Sequence, residues 1–420
     1  MPAWLARRMA ALGRIVVEAL ILEYGRDEVL RRLSHPFWFQ SFGAVMGMDW
    51  HSSGITTSVI GALRRGLAPV ADELGLYVCG GRGARSRETP QQLSRLADRL
   101  GLDGAQLVRA SRLVAKVDGA ALQDGFSIYL HGFVLAADGR WVVVQQGMNP
   151  ERRQARRYHW LSEGLQSFVD TPHAAVDGET QPRSVVNLAD ARARRARDEV
   201  LRLAARGPEA ALLAAREARA AAAGRGGRLP HLQLPLRHAV HPEDVVERRL
   251  HGALAAVERA APSTFEDLLL TRGLGERTLT ALAFVADVVH GAPSRFSDPA
   301  RHSLALGGKD GHPFPVPLRV YDDALRVLRR AIQQARLGRS DAMDALSRLD
   351  AQARALEATH DPRRALTAAF IERERRASFG YGGMTAHGPA RPPAAPPQRR
   401  PARQLGLFAP PVGGGRGPFV

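Results

Sequence analysis

The sequence predicts an α+β or α/β N-terminal domain, followed by a mostly α-helical C-terminal domain and a disordered C-terminal tail. Three observations favour this organisation. All five tryptophans lie within the first 160 residues, which places the large aromatic anchors of a mixed core at one end of the chain. Strand-like sequence is concentrated in the same part, and helical sequence rich in alanine and arginine follows it. The last 36 residues contain nine of the 27 prolines, five arginines and no acid.

The N-terminal domain is expected to open with a helix and to contain a β-hairpin. Apolar residues recur every three or four positions from Trp4 to Leu33, which predicts an amphipathic helix. The segments Phe126–Leu135 and Trp141–Gln146 are rich in β-branched and aromatic residues, and a turn at 137–139 separates them. This pattern is typical of two antiparallel strands.

Changes of composition divide the chain into five predicted segments. They are an α/β domain at 1–186, a helical bridge rich in Ala and Arg at 187–241, a helical domain at 242–360, a terminal helix and linker at 361–384, and a disordered Pro/Gly/Arg tail at 385–420.

The net charge indicates a polyanionic partner. Lys and Arg outnumber Asp and Glu by 59 to 42 in 420 residues, a formal charge of +17. The single cysteine, Cys79, excludes an intrachain disulfide and a cysteine-rich zinc site, and it fits a reducing cytoplasm. Neither an export signal nor a membrane-spanning stretch is expected, because no apolar run approaches about 20 residues. We therefore expect a cytoplasmic protein associated with the nucleoid.

Two helices joined by a glycine-containing turn are predicted within the helical domain. Ser263 and Glu266 have the spacing of a capping box, which places the start of a helix there. The glycines at 273 and 275 interrupt it, and helical periodicity resumes over Glu276–His290. This pattern resembles the helix-hairpin-helix DNA-binding motif.

The helix-hairpin-helix resemblance implies sequence-independent DNA binding, since backbone N–H groups beside small glycines can approach a phosphate. The DNA-contacting residues would be Arg272, Gly273, Leu274, Gly275 and Arg277. An ordinary αα-hairpin with a tight turn is the structural alternative.

Some helix-hairpin-helix enzymes are glycosylases with a catalytic aspartate about twenty residues after the hairpin, where Asp298 stands here. Arg277 replaces the lysine of the lyase-type members, so Schiff-base chemistry is not expected. A helix cap before Pro299 is the alternative role of Asp298.

An apolar pentapeptide interrupts the polar tail at residues 404–408. It resembles the Gln-Leu-x-Leu-Phe peptide that binds the bacterial sliding clamp. The resemblance implies that the clamp is a partner, with contacts from Gln404, Leu405, Leu407 and Phe408. An apolar patch in a linker is the alternative.

Polar strings in the N-terminal domain suggest a catalytic set. The candidates are Asp49, His51, Asp124, His131 and His159, whose carboxylates and imidazoles suit general acid–base chemistry. A divalent metal, Mg²⁺, Mn²⁺ or Zn²⁺, is a possible cofactor, with Asp49, His51 and His131 as ligands. The alternative is that these groups satisfy polar atoms of the core.

Two further features of this domain are suited to binding a phosphate group. Arg156 and Arg157 are candidates for a phosphate clamp on DNA. The glycines of Gly80–Gly83 follow the predicted strand Leu76–Cys79, as in a phosphate-binding nest, although the Lys-Ser/Thr ending of a P-loop is absent.

Together with Pro36–Gln40 and Gly307–Gly311, the polar strings resemble the domain-of-unknown-function 763 family of archaea and bacteria. The likeness extends from Trp4 to roughly Gly338 and implies neither an activity nor a catalytic residue. Family members usually carry a Gly- and His-containing segment before the Pro-x-Trp-Leu found here as Pro2–Leu5. The resemblance therefore implies that the chain begins after the usual N-terminus of the family, through truncation or a wrongly assigned start.

These features together predict a DNA-binding protein of repair or replication, acting as a metal-dependent nuclease recruited by the sliding clamp. A non-catalytic DNA-binding adaptor is the first alternative, and a glycosylase-like enzyme is the second. Cleavage that requires a metal would distinguish the nuclease from the adaptor.

Overall fold

The computed structural model describes residues 2–48, 52–179, 185–224, 247–292 and 294–301, and the short strands at 384–385 and 388–389. The helices before the sheet are α1 (Ala3–Tyr24), α2 (Arg26–Ser34), α3 (Pro36–Val45), α4 (Gly54–Leu67) and the single turn α5 (Ala71–Leu74). The strands are β1 (Leu76–Arg82), β2 (Leu122–Gln123), β3 (Ser127–Ala136), β4 (Trp141–Asn149), β5 (Gln154–Leu161), β6 (Ala175–Asp177), β7 (Val186–Asn187), β8 (Met384–Thr385) and β9 (Gly388–Pro389). The remaining helices are α6 (Ala84–Leu100), α7 (Gly104–Lys116), α8 (Arg194–Ala205), α9 (Pro208–Gly224), α10 (Glu247–Ala260), α11 (Phe265–Leu270) and α12 (Glu276–His290).

The central sheet has five strands in the order β1-β3-β4-β5-β6, and every neighbouring pair is antiparallel. The antiparallel pairing makes this part of the chain α+β, one of the two classes that the sequence allowed. The predicted β-hairpin is confirmed, because β3 and β4 pair through Leu135 and Trp141 on either side of the predicted turn.

Helices cover both faces of the sheet. The N-terminal layer, α1 to α4, packs on the face that carries Leu130, Val134, Val142 and Val144. The second layer contains α6, α7 and α8 to α12, and it packs on the face that carries Phe133, Leu135, Val143, Tyr158 and Trp160. Successive strand residues point to opposite faces and helices cover both, which is why β3 to β5 are buried at almost every position of their central parts.

Local sequence sets several helix boundaries. His35 precedes α3, and its Nδ1 accepts a hydrogen bond from the Trp38 N–H at 3.3 Å, while Pro36 occupies the first helical position. Asp103 caps α7 by accepting a hydrogen bond from the Gln106 N–H at 2.9 Å. These caps satisfy donors that a helix leaves open at its start.

Two segments predicted as single helices are each broken by a glycine with positive φ. Gly25 (φ +84°) separates α1 from α2, and Gly207 (φ +85°) lies between α8 and α9. Helical periodicity continues across such a break, so the sequence pattern does not show where one helix ends and the next begins. The buried residues of α8, including Val200 and Leu203, pack in the same apolar cluster as the sheet.

Helices α1 and α4 approach each other closely at Gly66. A Cβ atom at this position would lie 2.3 Å from the carbonyl oxygen of Ala10 and 3.3 Å from the Cβ of Arg14. A side chain larger than hydrogen therefore forces the two helices apart.

Within the described ranges, none of the helices combines the length and the apolar character needed to cross a bilayer.

Candidate nucleic-acid interface and polar clusters

The predicted glycine turn joins α11 to α12. Gly273 has a φ of +88°, a conformation that favours glycine, and a Cβ at Gly273 or Gly275 would meet nothing within 4 Å. Leu274 between them is 2% exposed. The hairpin therefore exposes two backbone segments without side chains and anchors them by one buried leucine.

The start of α11 differs from the predicted capping box. Thr264, not Ser263, is the N-cap, and its Oγ1 accepts a hydrogen bond from the Asp267 N–H at 3.1 Å. The predicted partner Glu266 instead accepts a hydrogen bond from the Phe168 N–H at 3.1 Å. The prediction of a Ser263–Glu266 box was wrong by one residue, because two consecutive residues here, Ser263 and Thr264, are able to cap a helix.

Contacts with α7 and β2 fix the position of the hairpin. Lys116, the last residue of α7, donates from Nζ to the carbonyl oxygen of Leu274 at 2.5 Å, and burial lowers the pKa of this lysine. Thr280 of α12 donates from Oγ1 to Gln123 Oε1 at 2.9 Å. The turn is thus held by groups outside it and needs little ordering before it binds a ligand.

The charges around the turn are mixed. Arg272 and Arg277 are both exposed, and Gly275 supplies no side-chain cap for the first N–H groups of α12. Glu276 opens α12, and partial desolvation together with the nearby Asp124 raises the pKa of its carboxyl. Two arginines and open backbone donors suit an anion, whereas Glu276 weakens that preference.

A buried ion-pair network, the Arg156 cluster, lies beneath the second helical layer. It consists of Asp124, Arg156, Tyr158 and Asp298. Arg156 donates to Asp124 Oδ2 at 3.0 Å and to the two carboxylate oxygens of Asp298 at 3.0 and 2.8 Å. The Tyr158 hydroxyl donates to Asp124 Oδ2 at 2.7 Å. All four side chains are buried, so the cluster is a structural ion pair closed to solvent.

Electrostatics within the Arg156 cluster follow from burial. Desolvation raises the pKa of the Asp124 carboxyl, although Arg156 acts in the opposite direction. Burial by itself lowers the pKa of Arg156, but the two carboxylates more than reverse this and raise it. The guanidinium therefore stays charged and is compensated by two acids.

A second network on the same face, the His131 cluster, links Ser111, His131, Gln145 and Asp118. His131 Nδ1 donates to Gln145 Oε1 at 2.6 Å, and the Ser111 hydroxyl lies 3.0 Å from His131 Nε2. Gln145 Nε2 donates to Asp118 Oδ2 at 2.5 Å. Burial lowers the pKa of His131, so the ring is neutral and Nε2 accepts from Ser111.

The His131 cluster has the connectivity of a base oriented toward a hydroxyl, but the hydroxyl is closed to substrate. Ser111 is 3% exposed and His131 is 4% exposed. Asp118 also accepts hydrogen bonds from Trp160 Nε1 at 2.9 Å and His173 Nε2 at 2.6 Å. These contacts satisfy buried polar atoms, which is the structural role that the sequence analysis left open.

Arg157 and His159 lie on the opposite face of the sheet, under the N-terminal layer. Arg157 Nη2 donates to Asp177 Oδ2 at 2.5 Å and to Gln40 Oε1 at 2.8 Å. His159 Nδ1 donates to the carbonyl oxygen of Leu33 at 3.0 Å. Neither Arg157 nor Arg156 reaches the surface, so we do not include them among the proposed DNA contacts.

The structure therefore divides the predicted catalytic set. Asp124 and His131 lie on one face, in different networks, and His159 lies on the other. Asp49 and His51 fall outside the described residues, as do Gln404, Leu405, Leu407 and Phe408 of the tail. Among the residues that the structure describes, no group of three or more His, Cys, Asp or Glu side chains could hold a metal ion.

Asp298, predicted as a cap or a catalytic acid, belongs to the Arg156 cluster. Its Oδ1 also accepts a hydrogen bond from the Ala300 N–H at 2.9 Å, a local turn contact. Sequence reasoning missed Asp118, His173 and Asp177. The available signal was Asp118 itself, the single acid in the segment 113–122, which is apolar or glycine at every other position except Lys116.

Comparison with known proteins identifies the family of the chain. No curated protein and no solved structure matches the chain. The model of the family described as "Protein of unknown function (DUF763)" matches residues 1–316 of the 420. The chain therefore belongs to the DUF763 family, as the polar strings of its N-terminal part suggested.

Proposed function

We propose that this protein binds DNA without regard to sequence, through the hairpin between α11 and α12, and that it acts in repair or replication. The observation that carries the proposal is the exposed Gly-Leu-Gly turn, in which Leu274 is buried and both glycines face open space. Arg272 and Arg277 flank it, and the chain carries a net charge of +17. A phosphate can approach such a turn closely. The exposed glycines offer no side chain that reads bases.

Replacement of both glycines tests this proposal. Gly273→Val with Gly275→Val is expected to weaken binding to duplexes of unrelated sequence by roughly 10–100-fold and about equally, because two charge-assisted contacts are lost. Gly101→Val is the matched control, since Gly101 also has a positive φ (+68°) and an open Cβ position but lies outside the hairpin. Fluorescence anisotropy at low salt measures both. Unchanged affinity of the double variant would remove the hairpin from the proposal.

Metal-dependent cleavage is the catalytic part of the proposal, with Asp49, His51 and His131 as candidate ligands. One observation favours the non-catalytic adaptor as a second candidate: Asp124, His131 and His159 each bind buried protein groups. Incubation of the protein with labelled single-stranded, duplex, flap and damaged DNA, with and without Mg²⁺, Mn²⁺ or Zn²⁺, separates the two. Cleavage that needs a metal supports the nuclease, and binding without cleavage supports the adaptor. Abasic sites without nicks would indicate a glycosylase.

We also propose recruitment by the bacterial sliding clamp through Gln404–Phe408. Burial of Leu407 and Phe408 contributes roughly 1.5–3 kcal/mol each, so micromolar affinity is expected after ordering costs. A calorimetric titration of the clamp with a peptide spanning 400–411 checks this. Leu407→Ala with Phe408→Ala should abolish the heat signal, and a silent wild-type peptide would contradict the proposal.

A further inference from the structure

Five arginines from three elements form a positively charged surface that the hairpin does not include. We call it the arginine surface. It consists of Arg64 and Arg65 in the last turn of α4, Arg82 at the end of β1, and Arg85 and Arg87 in the first turn of α6. Four of the five are exposed, and Arg64 is half-buried.

Both α4 and the start of α6 pack against β1. The Cβ of Arg85 lies 3.7 Å from the position of a Cβ built on Gly81, next to Arg82, whose guanidinium lies 5.7 Å from the Tyr129 ring centre. Burial, and then repulsion from Arg85 and Arg65, lowers the pKa of Arg64, while Glu88 partly offsets this. Arg64 of α4 and Arg85 of α6 are therefore close enough to repel each other.

The positive charges at the start of α6 do not stabilise that helix. Cations are unfavourable at this end because the helix dipole is positive there. The first turn of α6 contains no acid, and its N-cap, Gly83, provides no side-chain hydrogen bond to the first N–H groups. An unfavourable local choice, such as positive charge at a helix N-terminus, is typical of functional surfaces when it brings no gain in stability.

The arginine surface and the hairpin lie at the same end of the molecule. Helices α6 and α7 form an antiparallel pair joined by residues 101–103, so α6 begins beside the end of α7. Lys116 at that end donates to Leu274 of the hairpin. Packed helix axes are about 8–10 Å apart, so the start of α6 lies about one helix spacing from the end of α7 that contacts the hairpin.

We propose that the arginine surface is a second DNA contact, which binds the phosphodiester backbone of the duplex held by the hairpin. Charge complementarity identifies the occupant, since a surface of exposed arginines matches closely spaced phosphates. The inference rests on the proposed function for its partner but concerns different residues. The predicted phosphate nest at Gly80–Gly83 is not part of this surface, because the Gly80 N–H donates to Gln92 Oε1 at 2.8 Å and the Gly83 N–H donates to the Tyr129 carbonyl oxygen at 2.9 Å.

Salt dependence of binding tests the second contact in the full chain. Arg82→Gln with Arg85→Gln should reduce the slope of log affinity against log salt by about 1.8, or 0.9 for each lost phosphate contact, and weaken binding at 0.1 M salt by roughly 10–100-fold. Arg95→Gln with Arg99→Gln is the control, because it removes the same charge from exposed positions of α6 about 15 Å or more further along. The control should keep the wild-type slope. Other basic residues are identical in both variants, so their contributions cancel.

The outcomes of this experiment distinguish the arginine surface from the hairpin as DNA contacts. Equal losses in the two arginine variants would overturn the proposal, since only net charge would matter. A wild-type slope in the Arg82/Arg85 variant would also overturn it, even if the hairpin variant Gly273→Val/Gly275→Val lost affinity. If the Arg82/Arg85 variant lost DNA affinity and the hairpin variant bound DNA like the wild type, the arginine surface would remain a DNA contact and the hairpin would not. Absence of DNA binding by the wild type would remove both.

Discussion

Replacing Arg156 with methionine is expected to lower the free energy of unfolding by about 3–5 kcal/mol. The guanidinium is the shared partner of Asp124 and Asp298, and all three side chains are at most 1% exposed. Methionine fills similar volume but leaves two carboxylates without a cation in a buried site. Denaturant unfolding of the variant and the wild type at neutral pH measures the difference.

The Arg156→Met deficit should depend on pH. Burial already raises the pKa of Asp124, and loss of Arg156 raises it further, so the folded variant binds a proton more readily than the unfolded chain. A folded-state pKa above the unfolded value means that stability falls as pH rises. The deficit should therefore shrink as the pH is lowered toward the unfolded-state pKa of an aspartate, about 3.9. Arg31→Met is the control: its exposed pair with Glu163, at 2.6 Å, should contribute little at any pH. A deficit for Arg156→Met no larger than the control's would contradict a structural role.

Replacing Gly66 with alanine should also destabilise the fold, by about 1–3 kcal/mol. The added methyl group would meet the backbone of α1 at Ala10, which cannot rotate away as a flexible side chain does. Helices α1 and α4 must separate, and their shared apolar contacts weaken. Thermal or denaturant unfolding reports the change.

Gly61→Ala on the same helix is the matched control for Gly66→Ala. Its Cβ would lie 3.8 Å from the nearest atom, at the end of the Arg65 side chain, so no clash arises. Alanine has the higher helix propensity, and this variant should gain roughly 0.5–1 kcal/mol. Destabilisation by both substitutions would show that helix α4 tolerates no change here, and the close approach at Gly66 would not be the cause.

Much of the fold could be predicted where the signal was local. The strands β3 and β4 carry their own pattern of β-branched residues around a short turn, and both are confirmed. The pairing of β1 with β3 joins Leu76 to Ala136 across two helices, and no short pattern encodes that register. The class could therefore be narrowed to a mixed fold, but the strand order could not be derived.

The candidate site shows why residue type alone is insufficient to predict which side chains lie together. Arg156 and Arg157 are neighbours in sequence and suggested one clamp, but consecutive residues of a strand point to opposite faces. Each arginine therefore lies under a different helical layer and pairs with a different acid, Arg156 with the distant Asp298 and Arg157 with Asp177 of the neighbouring strand. Which acid meets which arginine depends on tertiary packing. The glycine turn was predictable because its signal is confined to a few consecutive residues.

The ion pair between Arg156 and Asp298 has a consequence for synthesis of the chain. The two residues are 142 positions apart, and at about 5–20 residues per second Asp298 is made roughly 7–28 s after Arg156. During this interval Asp124 is the only acid of the cluster that has been made, and the helices that cover β5 are still incomplete. Full burial of this strand must therefore wait until the ribosome has passed Asp298, so the second helical layer closes late during translation while the N-terminal layer can form early.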